Sequence, residues 1–207
     1  MLGVAPVLGA LEWTGVDLER AARAVARLEP GAQGYAPRFF TAAEWRTVNV
    51  LVDYVIPRDE RSGSATDAKV PEFMDFMLSD PETATSEASK TGMRSGLAWL
   101  DAESGRRFSR TFVDATDSQR RSVLDDIAWP SRAPAAMREG VTFFNRFRDM
   151  TAAGFFSSQI GWQDLEYIGH TFVPQWNGCP EPAMRKLGVS HDLMSTRVPV
   201  QYGRDEK

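Results

Sequence analysis

Apolar side chains recur along this chain with the period of an α-helix, and they do not alternate over any useful length as strand residues do. The clearest helix starts at Thr41, because Glu44 three residues later completes a capping box. It is predicted to end before Pro57, which has no amide hydrogen to donate. Its apolar face consists of Trp45, Val48, Leu51, Val52 and Val55.

The same criteria predict helices before and after this one. Pro71 suits a helical first turn, and Thr116 with Gln119 forms a second capping box ahead of a helix that Pro130 closes. Between them lies one long helix, or two helices joined near Gly105, while the polar segment 58–70 reads as a surface loop. The predicted helices cover residues 17–28, 41–56, 71–80, 88–115, 116–129 and 135–156.

Regular patterning fades towards the C-terminus, where prolines accumulate from Pro174 onwards. We therefore predict an all-α protein: a single helical domain over residues 15–207, with five to seven helices and a long irregular C-terminal segment holding one short helix at most. Such a long irregular segment is unusual inside a compact domain. It indicates either that the segment carries a functional site or that it wraps around another part of the protein or a partner.

Residues 1–14 are apolar and about the length of a signal-peptide core. Two interpretations stay open. The segment is the remnant of an export signal, or it is an apolar N-terminal segment that packs on the domain or on a partner. No stretch reaches the roughly 18 apolar residues that a membrane span requires.

The composition is that of an ordinary globular protein, with 207 residues, 43% of them hydrophobic, and a net charge of −4. This balance argues against nucleic acid as the main partner, which would need a basic surface. The basic pairs Arg106–Arg107 and Arg120–Arg121 lie beside acidic residues and indicate solvated helix faces.

The motifs of common catalytic sites are missing from the sequence. One cysteine and two histidines, without CxxC or HxxxH spacing, do not predict a zinc or iron–sulfur site, and no glycine-rich nucleotide fingerprint occurs. His170 and Cys179 could meet as a Cys–His pair, but a structural role for both is the simpler interpretation. In an exported protein, the unpaired Cys179 would suggest a free thiol or an intermolecular disulfide.

Aromatic residues crowd into a stretch that is only partly helical. Large rigid side chains in irregular, proline-containing sequence are typical anchors of protein–protein interfaces. The alternative is that they cover the core of their own domain, and composition does not decide between the two. The residues concerned are Phe155, Phe156, Trp162, Tyr167, Phe172 and Trp176.

Three segments in order, FFTAAEW, VIPRDERSGSA…KVPEF and IGHTFVPQWNGCP, resemble the gluconate 2-dehydrogenase subunit 3 family over roughly residues 39–180. The resemblance implies a non-catalytic subunit, with no cofactor of its own, that partners a large FAD-binding subunit of the glucose-methanol-choline (GMC) type. It implies a role in folding, stability and twin-arginine co-export to the periplasm. A cytochrome c subunit is a further, optional partner, and no nucleic acid or membrane span is expected.

We therefore predict an interface with the flavin subunit. In an oxidising compartment, Cys179 could form an intersubunit disulfide, provided that the partner offers a cysteine with a Cα–Cα distance below about 7 Å. Alternatives are a stand-alone periplasmic binding module and, less favoured, a hydrolase using His170 and Cys179. The sugar, sugar acid or glycoside that the complex oxidises is left open. The predicted interface residues are Phe155, Phe156, Ile160, Trp162, Tyr167, His170, Phe172, Pro174, Trp176, Cys179 and Pro180.

Overall fold

The computed structural model describes residues 13–28, 35–83, 85–167, 169 and 179–189. The chain divides into two compact units, Met1–Tyr167 and Ile168–Lys207. The prediction of one domain over residues 15–207 stays a prediction. The apolar N-terminal segment lies outside the described residues, apart from Trp13 and Thr14.

The described residues form helices and turns without a strand, which confirms the all-α prediction. Six helices of ten residues or more agree with the predicted five to seven, and two short helices, α7 and α8, are added. The helices are α1 Gly15–Ala26, α2 Ala42–Val55, α3 Val70–Ser79, α4 Glu87–Phe108, α5 Asp117–Ala128, α6 Arg138–Phe156 after a 3₁₀ turn at Ala135–Met137, α7 Gln159–Asp164 and, in the second unit, α8 Glu181–Leu187.

Both predicted capping boxes are present. The hydroxyl oxygens of Thr41 and Thr116 accept from the backbone N–H three residues on, and the backbone N–H of each threonine donates to the side chain of that same residue. A third, at Thr14 and Asp17, starts α1. Each box satisfies two backbone N–H groups that the first turn of a helix leaves unpaired. Helices α2 and α5 therefore begin where the sequence analysis predicted, whereas α1 begins at Gly15, two residues before its predicted start at position 17.

Helix α6 is the centre of the first unit, because it contacts α1, α2, α3, α4 and α5. Its closest partner is α4, and glycines set the approach of the two. A Cβ at Gly96 of α4 would lie 2.0 Å from the Phe143 ring, and one at Gly140 of α6 would lie 2.2 Å from Trp99. Each helix thus places an aromatic ring against a bare backbone position of the other.

Two hydrophobic clusters fill the first unit. The larger cluster contains residues from all five helices α2, α3, α4, α5 and α6. The smaller cluster packs α1 on α3 through Ala21, Val25, Phe73 and Met77. The larger cluster includes Val48, Leu51 and Val52 from the predicted apolar face of α2, together with Met93, Leu97, Leu100, Phe144, Phe147 and Met150.

Asp75 fixes the segment that leads into α2. Its carboxyl group is 0% exposed and accepts from the Tyr35 hydroxyl at 2.8 Å and from the backbone N–H groups of Arg38, Phe39 and Phe40 at 2.8, 2.9 and 3.2 Å. One α3 side chain therefore satisfies four donors of an otherwise irregular segment.

The segment predicted as one or two helices over 88–115 needs a correction. It is a single helix through Gly105, and it ends at Phe108 because Ser109 adopts a left-handed conformation with φ 54°. Phe112 therefore lies in the following loop, although it is 0% exposed. Its N–H donates to Asp101 Oδ1 at 2.9 Å, which ties this loop back to α4.

The basic pair Arg106–Arg107 is only partly a solvated face. Both guanidinium groups bind the Glu103 carboxylate, and Arg107, with 16% of its side chain exposed, also donates to Asp126 of α5 at 2.7 Å. This cluster links the end of α4 to α5.

Candidate docking surface

The turn between α6 and α7 is tight and leaves no room for a side chain at one position. Ser158 caps α7, because its hydroxyl oxygen accepts from Gly161 N at 3.1 Å while the hydroxyl donates to Phe155 O at 2.6 Å. A Cβ at Gly161 would lie 2.1 Å from that same carbonyl oxygen and 2.9 Å from Phe156 Cα. Glycine is therefore required for α7 to fold back against the last turn of α6.

Four large apolar side chains are exposed where α6 meets α7. Phe156 is 41% exposed, Trp162 48%, Leu165 58% and Tyr167 49%. In the described part of the first unit, the other large apolar side chains with comparable exposure are Val16 and Trp129. Single exposed apolar residues are normal, but four within twelve positions indicate a surface that binds another molecule. We call Phe156, Trp162, Leu165 and Tyr167 the aromatic patch.

The chain beyond α7 holds part of the patch in place. Glu166 takes a left-handed conformation with φ 54°, and Tyr167 N donates to Trp162 O at 2.9 Å. This reversal brings the Tyr167 ring edge-on to the Trp162 ring, with 6.0 Å between the centroids. The two rings are therefore presented together by local hydrogen bonds.

The segment predicted as a polar surface loop is more ordered than its composition suggests. Within residues 57–69, which we call the arginine loop, Ala65 is 0% and Ala68 8% exposed, so part of the loop belongs to the core. Thr66 N donates to Asp53 Oδ1 at 2.8 Å, and Ala65 N donates to Ile56 O at 2.9 Å. The prediction of a simple surface loop is wrong for these positions, because small apolar residues let the chain dip inward.

Two carboxylates organise the exposed part of the arginine loop. Asp59 Oδ1 accepts from the N–H groups of Arg61 and Ser62, each at 2.8 Å. Asp67 Oδ2 accepts from Ser64 N and from the Arg58 guanidinium, each at 2.6 Å. The pKa of each carboxyl group is lowered, mainly by a hydrogen bond from a backbone N–H. The donor is Ser62 for Asp59 and Ser64 for Asp67. Both carboxylates are therefore ionised at neutral pH and hold the loop in one conformation.

Arg61 joins the arginine loop to α7. Its Nη2 donates to the backbone carbonyl of Asp164 at 2.6 Å, and its Nε lies 3.6 Å from Asp164 Oδ1. The carbonyl belongs to the last residue of α7, where a cation complements the partial negative charge of the helix end. The patch and the loop are thereby fixed side by side, although the two residues are 103 positions apart.

The predicted interface residues fall into four groups in the structure. Phe156, Trp162 and Tyr167 are exposed, and Ile160 is half-buried against the core. Phe155 is corrected to the core: it is 1% exposed, because it faces inward from the last turn of α6. Cys179 and Pro180 are exposed in the second unit, where Pro180 precedes α8. His170, Phe172, Pro174 and Trp176 lie outside the described residues.

Leu165 and Arg61 were missed by the sequence analysis. Leu165 is a large apolar residue between Trp162 and Tyr167, both of which the sequence analysis had selected, and this position was a usable signal. Arg61 gives no such signal, since its partner is a backbone carbonyl distant in sequence.

Membrane-spanning helices and clusters of metal-binding side chains are both absent from the described residues. No helix there is long and apolar enough to cross a bilayer. No group of three or more His, Cys, Asp or Glu residues there is arranged to hold a metal ion.

Comparison with known proteins places this surface in a family context. The model of a family described as gluconate 2-dehydrogenase subunit 3 matches residues 42–174. The match begins with α2 and includes both the arginine loop and the aromatic patch. Neither a curated protein nor a solved structure matches the chain.

Proposed function

The chain belongs to the gluconate 2-dehydrogenase subunit 3 family, and from this membership we propose that it is a non-catalytic accessory subunit of an FAD-dependent dehydrogenase. The partner is a large subunit of the GMC type that binds FAD and oxidises a sugar, a sugar acid or a glycoside. This chain carries no cofactor in the proposal. A cytochrome c subunit is an optional third component of the complex.

The observation that supports an accessory role best is the aromatic patch. Tryptophan and tyrosine are the residues that contribute most often to the binding energy of protein interfaces. Burying a large apolar side chain contributes about 1.5–3 kcal/mol, and the patch side chains keep roughly half of their surface for a partner. A second chain that covers the patch would stabilise both subunits.

The proposed role includes assistance with folding and export of the partner. A flavoprotein that crosses the membrane after it has folded needs an export signal, and a bound small subunit can supply one for both chains. We propose the twin-arginine route and a periplasmic complex. The exposed Cys179 would form an intersubunit disulfide there if the partner presents a cysteine with a Cα–Cα distance below about 7 Å.

Co-expression tests the proposal directly. The proposed flavin subunit is expressed with and without this chain, and soluble yield, FAD content and periplasmic activity are measured. We expect all three to fall by at least tenfold when this chain is omitted. A flavin subunit that is soluble, FAD-loaded, exported and fully active alone would refute the accessory role.

The isolated chain provides the test of the hydrolase alternative. The purified protein is assayed against ester and peptide substrates, together with a Cys179→Ser variant. Turnover that the substitution abolishes would replace the accessory role with a catalytic one.

A further inference from the structure

We propose that the arginine loop, residues 57–69, is the second half of the docking surface and binds the catalytic subunit together with the aromatic patch. This inference rests on the proposed function and deepens it. It assigns a contact role to a segment whose composition indicates only a solvated loop.

The first argument is the order of the loop. Thirteen residues without a helix or strand cost conformational entropy to hold in one shape. Here Asp53, Asp59 and Asp67 all accept backbone N–H groups of the loop, and Arg58 adds an ion pair. A loop that is fixed before binding loses little entropy when a partner covers it, which is the usual benefit of preorganisation.

The second argument is the connection to the patch. Arg61 bonds the Asp164 carbonyl at the end of α7, immediately before Leu165 of the patch. A partner that covers Leu165 and Tyr167 therefore meets the loop at the same time. Arg61 acts as a positioning residue, since it holds the two halves of the surface in register.

The third argument concerns the kind of partner. The surface has an apolar centre in the patch and exposed charges of both signs in Arg58, Glu60 and Glu166. An apolar centre with a mixed polar rim is the pattern of a protein interface, whereas phosphate-rich partners need a predominantly basic surface. Because the chain belongs to a family of dehydrogenase subunits, the partner that we propose for this surface is the catalytic chain of the same enzyme.

Steric blocking at the loop tip tests this inference without a guess about the partner's charge. Glu60 is exposed and forms no hydrogen bond or ion pair with the described residues. In a Cys179→Ser background, a Glu60→Cys variant is coupled to a polyethylene glycol maleimide. The control is Glu139→Cys in the first turn of α6, also exposed and roughly 25 Å along that helix from Phe156.

We expect polymer at position 60 to weaken binding of the purified FAD-loaded subunit by at least tenfold, and polymer at position 139 to change it by less than twofold. Thermal unfolding should be unchanged in both conjugates. Equal affinity of the two conjugates would overturn the loop assignment while leaving the accessory role intact. An unmodified chain that fails to bind the flavin subunit would overturn both.

Arg61 is tested separately, with rescue by a conservative variant. Arg61→Ala should weaken binding several-fold, while Arg61→Lys, which keeps a cation able to donate to the Asp164 carbonyl, should recover part of the loss. Alanine and lysine variants that bind like the unmodified chain would refute the positioning role of Arg61.

Discussion

Gly161 lies so close to Phe155 that the carbonyl oxygen of Phe155 occupies the space a Cβ would need, at 2.1 Å. Gly161→Ala should therefore push α7 away from the end of α6 and displace Trp162. We expect a loss of about 2 kcal/mol in stability, since the clash is with backbone and not with a flexible side chain. Binding of the flavin subunit should fall as well. Chemical denaturation and a binding titration measure the two effects.

Gly105→Ala is the matched control, because nothing lies within 4 Å of its virtual Cβ and the residue sits in α4. It should stabilise the protein by roughly 0.5–1 kcal/mol through the higher helix propensity of alanine. If both variants behave alike, the close contact at Gly161 does not limit the position of α7.

Trp162 should contribute to binding far more than Trp129, although Trp129 is the more exposed of the two, at 60% against 48%. Trp129 follows α5 and is not part of the aromatic patch. We expect Trp162→Ala to weaken binding of the flavin subunit at least tenfold, about 1.4 kcal/mol, and Trp129→Ala to leave it within twofold. Calorimetric titration distinguishes them, and a reversed order would place the interface elsewhere.

Asp75→Asn should destabilise the first unit strongly. An amide offers one acceptor oxygen where the carboxyl group offers two, and its NH₂ group would face donors from the segment 35–40. We expect a loss of about 3 kcal/mol, measured by denaturant titration. Tyr35→Phe, which removes a single hydrogen bond, should cost about 1 kcal/mol and remain folded. Equal and small effects would show that the Asp75 cluster is dispensable.

Glu103 should make stability depend on pH in the acid range. Hydrogen bonds from Arg106, and then those from Arg107, lower the pKa of Glu103 to about 2. Because the folded pKa lies below the unfolded value, the stabilisation is complete above about pH 4.5 and is lost as the pH falls towards 2. Glu103→Gln should thus cost about 1–2 kcal/mol at pH 7 and little near pH 2.

Glu139→Gln serves as the control for this pH profile, since Glu139 is exposed at the start of α6. Its difference from the unmodified protein should stay below about 0.5 kcal/mol at both pH values. A Glu103→Gln profile that runs parallel to that of the unmodified protein would contradict the lowered pKa.

Local signals predicted the helices well. A capping box acts within four residues, so Thr41 and Thr116 could be identified from sequence alone, and each does cap its helix. Phe112 has helical spacing yet lies in a loop, because the left-handed Ser109 ends α4 first. Serine carries no strong preference for that conformation, so the break was not visible in the sequence.

The candidate surface was predictable only in part. Composition singled out the aromatic stretch but could not separate Phe155 from Phe156, since adjacent residues differ by 100° around a helix and only the core decides which is buried. The link from Arg61 to Asp164 depends on tertiary structure. Such a contact between a side chain and a distant carbonyl leaves no pattern in a single sequence.

The central place of α6 has a consequence for biosynthesis. Every earlier helix of the first unit packs on α6. A nascent chain that has been synthesised only as far as α5 therefore cannot complete its hydrophobic core. Its apolar faces stay accessible to general chaperones until residue 156 has left the exit tunnel, and α7 follows within eight residues. The aromatic patch is therefore among the last parts of this unit to be synthesised. Few residues of the unit remain to be added once α6 is available to complete the core.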